Sequence, residues 1–439
     1  MSYSRRQFIN ASTKAAAGAG LLSALPWEAI AQNKHLISQN DKINVGVIGI
    51  NGMGWADTRS FMKIPEVNLI AICDVDENVI NKRVAELKQE NITVATYGDY
   101  RKLLDNKDID VVIIGTPDHW HCLQMVDACA AGKDVYVEKP VGNSIAECAT
   151  MVSAQKKYNR AVQAGQWQRS MPHFVDALNY LKSGKLGKIR TVKAWAYQGW
   201  MRDIVAKPDS PVPPGVNYDM WLGPAPKRPF NENRFHFNFR WFWDYAGGLM
   251  TDWGVHLIDY ALLGMDAPLP KSVYASGGKY AYPDAPSETP DTLATVYDFG
   301  DFTMLWEHAQ SISNGNYGRD HGISYIGNNG TLVLDRKGWE VIADEKRMES
   351  LPFQPSKGSG LDAHTQNFID AVKSRKFENL TCPISAGAHV ANVCQMGNIS
   401  FRTGQIVHWD QVKSKFKEDD ANKYLAAKYN NNYSMPKIS

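Results

Sequence analysis

Hydrophobic positions along the 439 residues fall into two regimes. In the first half they come as short, nearly unbroken runs. Ile43 to Gly49, Val67 to Cys73, Val111 to Gly115 and Asp134 to Val137 each read as a strand. Helical stretches are expected between them, over Trp55 to Ile64 and near Cys122 to Ala131. A strand that is apolar throughout is buried on both faces, and alternation with helices gives parallel βαβ units. The pattern therefore predicts an α/β chain with a doubly wound parallel sheet. Beyond Ala164 apolar and polar residues alternate instead, over Ile189 to Tyr197, Leu293 to Phe299, Phe302 to His308 and Gly322 to Gly327. Period-two alternation predicts strands with one face buried. No internal repeat or low-complexity segment interrupts either half.

The turn after the first strand is Gly49-Ile50-Asn51-Gly52-Met53-Gly54. It matches the dinucleotide fingerprint except that Asn51 replaces the second glycine, and Asn tolerates left-handed backbone better than most residues. Such a turn offers a tight bend and backbone N–H groups for a pyrophosphate at a helix N-terminus. Asp74 closes the second strand, where an acid bonds the adenosine ribose and repels a 2′-phosphate, so NAD is favoured over NADP. A solvent-exposed strand-end acid in an unrelated α/β protein is the competing reading.

The chain carries 48 Lys and Arg against 46 Asp and Glu, a formal charge of +2. This near-balance gives no basic footprint for nucleic acid and no attraction to an anionic membrane. Ser4-Arg5-Arg6-Gln7-Phe8-Ile9, a short apolar stretch and Ala29-Ile30-Ala31 resemble a twin-arginine export signal over residues 1–31, with a polar linker over 32–41. An ordinary N-terminal helix is the alternative. The expectation is a periplasmic protein exported in folded form with its nucleotide aboard. The six cysteines show neither CxxC nor metal-ligand spacing, so no essential disulfide and no metal are expected.

Gly115-Thr116-Pro117-Asp118-His119-Trp120-His121 and Tyr136-Val137-Glu138-Lys139-Pro140 join the glycine turn. Together they resemble the Gfo/Idh/MocA oxidoreductases, from about Ile43 to Phe401. The resemblance implies a Rossmann domain over 42–165 that binds NAD. It also implies a substrate-binding and oligomerisation domain over 166–439, α+β with an open, largely antiparallel sheet, in a homodimer or homotetramer. By the same resemblance Pro140 is cis and belongs to the cofactor site, Lys139 lies under the nicotinamide, and Glu138 meets its ribose. Thr116, Pro117 and His121 would line the cofactor pocket beside Gly49, Asn51, Gly52, Met53, Gly54 and Asp74. For His119 a structural role and a functional one stand level.

Trp221 to Asp259 is rich in rings beside charge: Arg234-Phe235-His236, then Arg240-Trp241-Phe242-Trp243-Asp244-Tyr245. Ring faces cover sugar C–H bonds and charged groups bond hydroxyls, so Arg169, Arg234, His236 and Trp243 are candidate substrate contacts. Core packing is an equal reading for any single tryptophan. Asp252 and His256 are four apart, on one face of a helix. By themselves they read as a helix cap and a core histidine; the resemblance makes them catalytic with Lys139, Asp252 orienting His256 across the four-residue spacing and either Lys139 or His256 taking the proton. The expected reaction is hydride transfer between a secondary alcohol of a sugar, glycoside or cyclitol and a tightly bound NAD. A glycosidase that oxidises C3 transiently, like the exported α-N-acetylgalactosaminidases, is the alternative, and a non-catalytic binding protein a third.

Overall fold

A computed structural model describes residues 42–438. The expected export signal and linker, residues 1–41, lie outside them. Strands β1 (Ile43–Ile48), β2 (Val67–Cys73), β3 (Ala95–Tyr97), β4 (Val111–Ile114), β5 (Asp134–Val137) and β6 (Val162–Ala164) form a parallel sheet in the order β3-β2-β1-β4-β5-β6. Their interleaved helices are α1 (Gly52–Phe61), α2 (Glu77–Gln89), α3 (Tyr100–Leu104), α4 (Asp118–Ala130) and α5 (Ile145–Tyr158). All four residues of β4 and of β5 are buried, which is why these segments read as unbroken apolar runs. Strand order reverses between β1 and β4, and that switch point opens a crevice at the strand C-termini.

After α6 (Pro172–Lys182) comes β7 (Ile189–Gln198), and the short α7 (Tyr218–Leu222), α8 (Gly248–Asp252) and the longer α9 (Gly254–Met265) follow. The remaining strands are β8 (Ser272–Gly278), β9 (Thr292–Asp298), β10 (Thr303–Gln310), β11 (His321–Gly327), β12 (Gly330–Asp335), β13 (Gly338–Ala343), β14 (Leu351–Pro355), β15 (Val407–Asp410) and β16 (Lys415–Phe416). They join β7 in one ten-stranded sheet in which β7 and β10 run parallel and the other pairs antiparallel. Leu293, Thr295 and Tyr297 of β9 point inward while Ala294, Val296 and Asp298 face out. The inner face packs on α6, α9 and α11 (Ile384–Thr403) around Trp306, Tyr260 and Val393.

Late segments return to the first sheet. Helix α10 (Gly360–Ser374) packs Phe368 against Phe61 and Tyr136, both at 6.0 Å between ring centroids, and Ser60 donates to Asp362 at 2.7 Å. Near the end of the chain the Tyr429 hydroxyl donates to buried Glu147 at 2.7 Å, and Tyr433 packs edge-on against Trp120 at 5.4 Å. The six cysteines are buried and unpaired. Among the described residues no helix is long and apolar enough to cross a membrane.

Candidate active site

The crevice at the switch point continues into a cavity of about 420 Å³ between the two sheets' lobes. Its floor is the glycine turn. Gly49 adopts φ +80° and Gly52 φ +49°, whereas Asn51 is extended at φ −109°. The left-handed positions thus fall on the glycines, and Asn51 instead caps α1 by accepting from the Gly52 N–H at 3.0 Å. A Cβ on Gly54 would stand 2.0 Å from the Gly49 carbonyl oxygen, and one on Gly115 2.4 Å from the Gly54 Cα. The turn, the helix and β4 approach this closely only because all three lack side chains, which leaves backbone N–H groups open to the cavity. Gly54→Ala is expected to cost about 1–3 kcal/mol of stability through overpacking and to weaken dinucleotide binding at least tenfold. A urea midpoint and an NADH fluorescence titration equal to wild type would refute this.

Asp74 lines the cavity where β2 ends, its two oxygens accepting from the Ile50 and Asp76 N–H groups at 3.1 Å each. Thr116, Pro117, Met53 and Glu138 also line it. Glu138 is buried; one oxygen accepts from the Lys139 N–H at 3.2 Å and the other has no partner. These features fit a dinucleotide: a side-chain-free cradle at a helix start, an acid at the ribose position, and an unsatisfied carboxylate oxygen beside the reactive end. The Lys139–Pro140 bond is cis. His121 stands behind the wall rather than on it, with Nδ1 2.7 Å from the Pro140 carbonyl and Nε2 2.8 Å from that of Thr116. It braces two loops from which Thr116 and Lys139 project. His119 is structural: its Nε2 lies 3.1 Å from the Trp221 carbonyl, and burial pulls its pKa down to about 4.

Lys139 donates through Nζ to Asp252 Oδ1 at 2.9 Å and to the Asp252 carbonyl at 3.0 Å. Arg240 reaches the other Asp252 oxygen with Nε at 3.5 Å. Burial alone would raise this carboxyl, but Lys139 and Arg240 together hold it well below the usual carboxylate range. Asp252 therefore serves the lysine and not, as the four-residue spacing suggested, the histidine. The helix breaks at Trp253, so Asp252 ends α8 while His256 sits in α9. The His256 ring lies 6.0 Å from Trp167 and 6.4 Å from Trp253, and its buried Nδ1 has no partner. Burial, then Lys139, Arg336 and His321, push its pKa well below the ordinary 6.5. His256 is thus a neutral imidazole at pH 7, able to accept a proton.

The other expected substrate contacts scatter. Arg169 forms a buried two-pronged pair with Asp259 at 2.6 and 2.7 Å, and a guanidinium so engaged is unavailable to a sugar. Arg234 is held by the Pro229 carbonyl at 2.7 Å and Asp209 at 3.2 Å. Trp243 donates its indole N–H to the Glu288 carbonyl and lies under Arg402, outside the cavity lining. His236 does line the cavity, but at Asp76 beside Asp74, with Nε2 3.0 Å from that carboxylate. Most of the aromatic run packs on itself: Trp221, Phe235, Trp241, Phe242 and Tyr245 make a small separate core. Two lining residues carry chemistry that the sequence reading did not assign. One is Arg240, whose guanidinium stacks 4.2 Å from the Phe237 ring centre. The other is Asp118 at the start of α4, which burial pushes up to about 8 and which can hold a proton near Lys139 at neutral pH. Asp118 stood within a quoted motif; only its burial sets it apart.

Two family profiles cover nearly all of the described chain: "Oxidoreductase family, NAD-binding Rossmann fold" over residues 43–166, and "Oxidoreductase family, C-terminal alpha/beta domain" over 184–435. Among curated relatives, the uncharacterized oxidoreductase YrbE of Bacillus subtilis is 25% identical over 297 residues, 67% of this chain and 74% of the relative. A glycosyl hydrolase family 109 protein of Shewanella putrefaciens is 31% identical over 154 residues, 34% of each chain. Among solved structures, GenD2 from gentamicin A biosynthesis in complex with NAD superposes at TM-score 0.65 and 17% identity, covering 89% of this chain and all of that one. Levoglucosan dehydrogenase in complex with NADH and levoglucosan does so at 0.62 and 20%, covering 84% and 99%. These structures share the fold. The chain belongs to the Gfo/Idh/MocA oxidoreductase family, with an NAD-binding Rossmann domain and the family's C-terminal α/β domain.

Proposed function

We propose that this NAD-dependent oxidoreductase transfers hydride between a secondary alcohol of a sugar, glycoside or cyclitol and a tightly held nicotinamide. The observation that carries the reading is the Lys139 ammonium, fixed by Asp252 beside buried Glu138 at the cavity wall. Bound NAD supplies the hydride acceptor that no side chain offers. Lys139 polarises the carbinol oxygen and stabilises developing alkoxide. His256, neutral at pH 7 and set between Trp167 and Trp253, takes the hydroxyl proton.

A redox-neutral glycosidase is the second reading, favoured by the family 109 relatives. The joint presence of Lys139, Asp252 and His256 weighs for the dehydrogenase. Anaerobic mixing with a panel of sugars and glycosides separates the two. Absorbance near 340 nm with an intact glycosidic bond supports net oxidation; nitrophenol released from a chromogenic glycoside without reduced cofactor reverses the assignment. We also infer periplasmic export through the Arg5-Arg6 signal and a homo-oligomer assembled on the open sheet, whose outer face carries exposed Tyr274 and Val296.

Because His256 is unprotonated across the neutral range, the acid limb of kcat/KM for alcohol oxidation is expected below pH 6.5, the ordinary imidazole value. Rate measurements across the acid and neutral range check this in wild type and His256→Asn. A limb centred at or above that pH, or one unmoved by the substitution, assigns the titration to another group.

A further inference from the structure

We propose that Arg336 anchors a carboxylate of the substrate, so that the preferred sugar is a uronic acid or its glycoside. This rests on the hydride-transfer reading and names the substrate class for the same site. Arg336 follows β12 at its turn into β13. Its guanidinium lies between two indoles, 4.7 Å from the ring centre of Trp167 and 4.6 Å from that of Trp253. Those are the two rings that flank His256, so one pair of tryptophans holds both the candidate base and this cation.

Among the described residues Arg336 has no carboxylate within ion-pair distance, in contrast to Arg169 with Asp259 and Arg319 with Asp335. Its Nε and Nη2 both donate to a single oxygen, that of Gln168, at 3.3 and 3.0 Å. A guanidinium has five N–H donors, so the Nη1–Nη2 edge retains a parallel pair, the geometry that a carboxylate accepts bidentately. A cation kept in such surroundings without an anion is costly, and burial already draws its pKa down to about 10.

The neighbours are also short of partners. His321 packs on Trp253 at 5.0 Å and has Nδ1 2.9 Å from the Asp320 carboxylate. That contact places the proton on Nδ1, and the buried Nε2 presents a lone pair with nothing to accept from. Both amide atoms of Gln166, next to Trp167, are likewise buried and unsatisfied. Hydroxyls are the kind of partner these atoms lack, while a neutral sugar brings no anion for the guanidinium. The local charge points the same way. Lys139 and Arg240 share the carboxylate of Asp252, and Arg336 is a third cation, which feels Asp252 and Asp320 only from beyond ion-pair distance: three cations stand against two carboxylates. Burial keeps Asp118 largely protonated near neutrality and raises Glu138 as well, so neither restores the balance. The anionic pyrophosphate of NAD belongs at the start of α1 and does not neutralise this cluster.

The test uses the full chain with NADH bound and matched pairs of methyl glycosides and methyl glycosiduronates in the gluco, galacto and manno series. Binding is followed by calorimetry and by quenching of tryptophan emission. In at least one pair the uronate is expected to bind ten times or more tighter than its neutral counterpart. Arg336→Met should bring that ratio near one, and Arg336→Lys should keep part of it, since the charge remains and the fork is lost. Absence of any uronate preference in the wild-type protein overturns the proposal, whatever the variants do. A preference that survives in folded Arg336→Met, or in Arg336→Lys at its full value, overturns it as well. In a parallel assay with NAD+ in place of NADH, NADH formation from neutral sugars alone, without uronate preference, removes the carboxylate anchor and keeps the hydride reading. Uronate binding that depends on Arg336 with no NADH formed from any sugar keeps the anchor and removes the hydride reading.

Discussion

Lys139→Ala is expected to lower turnover by about 10² or more while the chain still folds and binds NADH. The ammonium is the one cation at the cavity wall that is tied twice to the same residue, through the carboxylate and the carbonyl of Asp252, so it can meet a reacting oxygen without first being ordered. Folding survives because Asp252 keeps a cation when the lysine is gone: Arg240 already stands at 3.5 Å. Loss should therefore appear in kcat and in kcat/KM alike, the signature of an interaction made in the transition state. A rate at saturating sugar within about threefold of wild type would remove Lys139 from the mechanism, provided that NADH titration and urea midpoint are normal.

Arg169→Met should have the largest effect on stability, about 3–5 kcal/mol in denaturant unfolding. The side chain lies between the first lobe and α9, where it grips both oxygens of Asp259 and reaches the Thr381 carbonyl at 3.3 Å. Asp259 is almost wholly enclosed, with a side-chain exposure of 2%, so removing its partner strands a charge away from water. The double variant Arg169→Met with Asp259→Leu should recover most of the loss, because both members of the pair are then replaced by apolar volume. Equal urea midpoints for Arg169→Met and wild type would show that the pair contributes nothing.

The first sheet was legible because its strands are enclosed on both faces, and continuous apolar runs such as Val111 to Ile114 have no other use in a βαβ chain. Alternation did the same for β9 and β10. The glycine turn was read in the right place but with the wrong residue bearing the left-handed backbone. Local sequence shows which residues tolerate such a conformation, whereas the closeness of β4 decides which must adopt it. The Asp252–His256 spacing misled because a helical period presumes an unbroken helix, and the chain turns at Trp253. In the aromatic stretch, composition cannot separate a ring that faces sugar from one that faces Tyr245. Most turned out to pack inward. Arg336 and His321 gave no signal at all: each sits in or beside an ordinary hairpin strand. Only the pairing of β11 with β7 and β12 carries them beside Trp253.

The return of late segments to the first sheet bears on how the protein is made. Phe61 and Tyr136 find their third ring in Phe368, and Glu147 and Trp120 are covered by Tyr429 and Tyr433. During synthesis, residues 43–166 leave the ribosome long before these partners exist. The nucleotide-binding lobe therefore cannot finish its packing as a nascent domain; its remaining ring and hydroxyl contacts arrive only with the last segments of the chain.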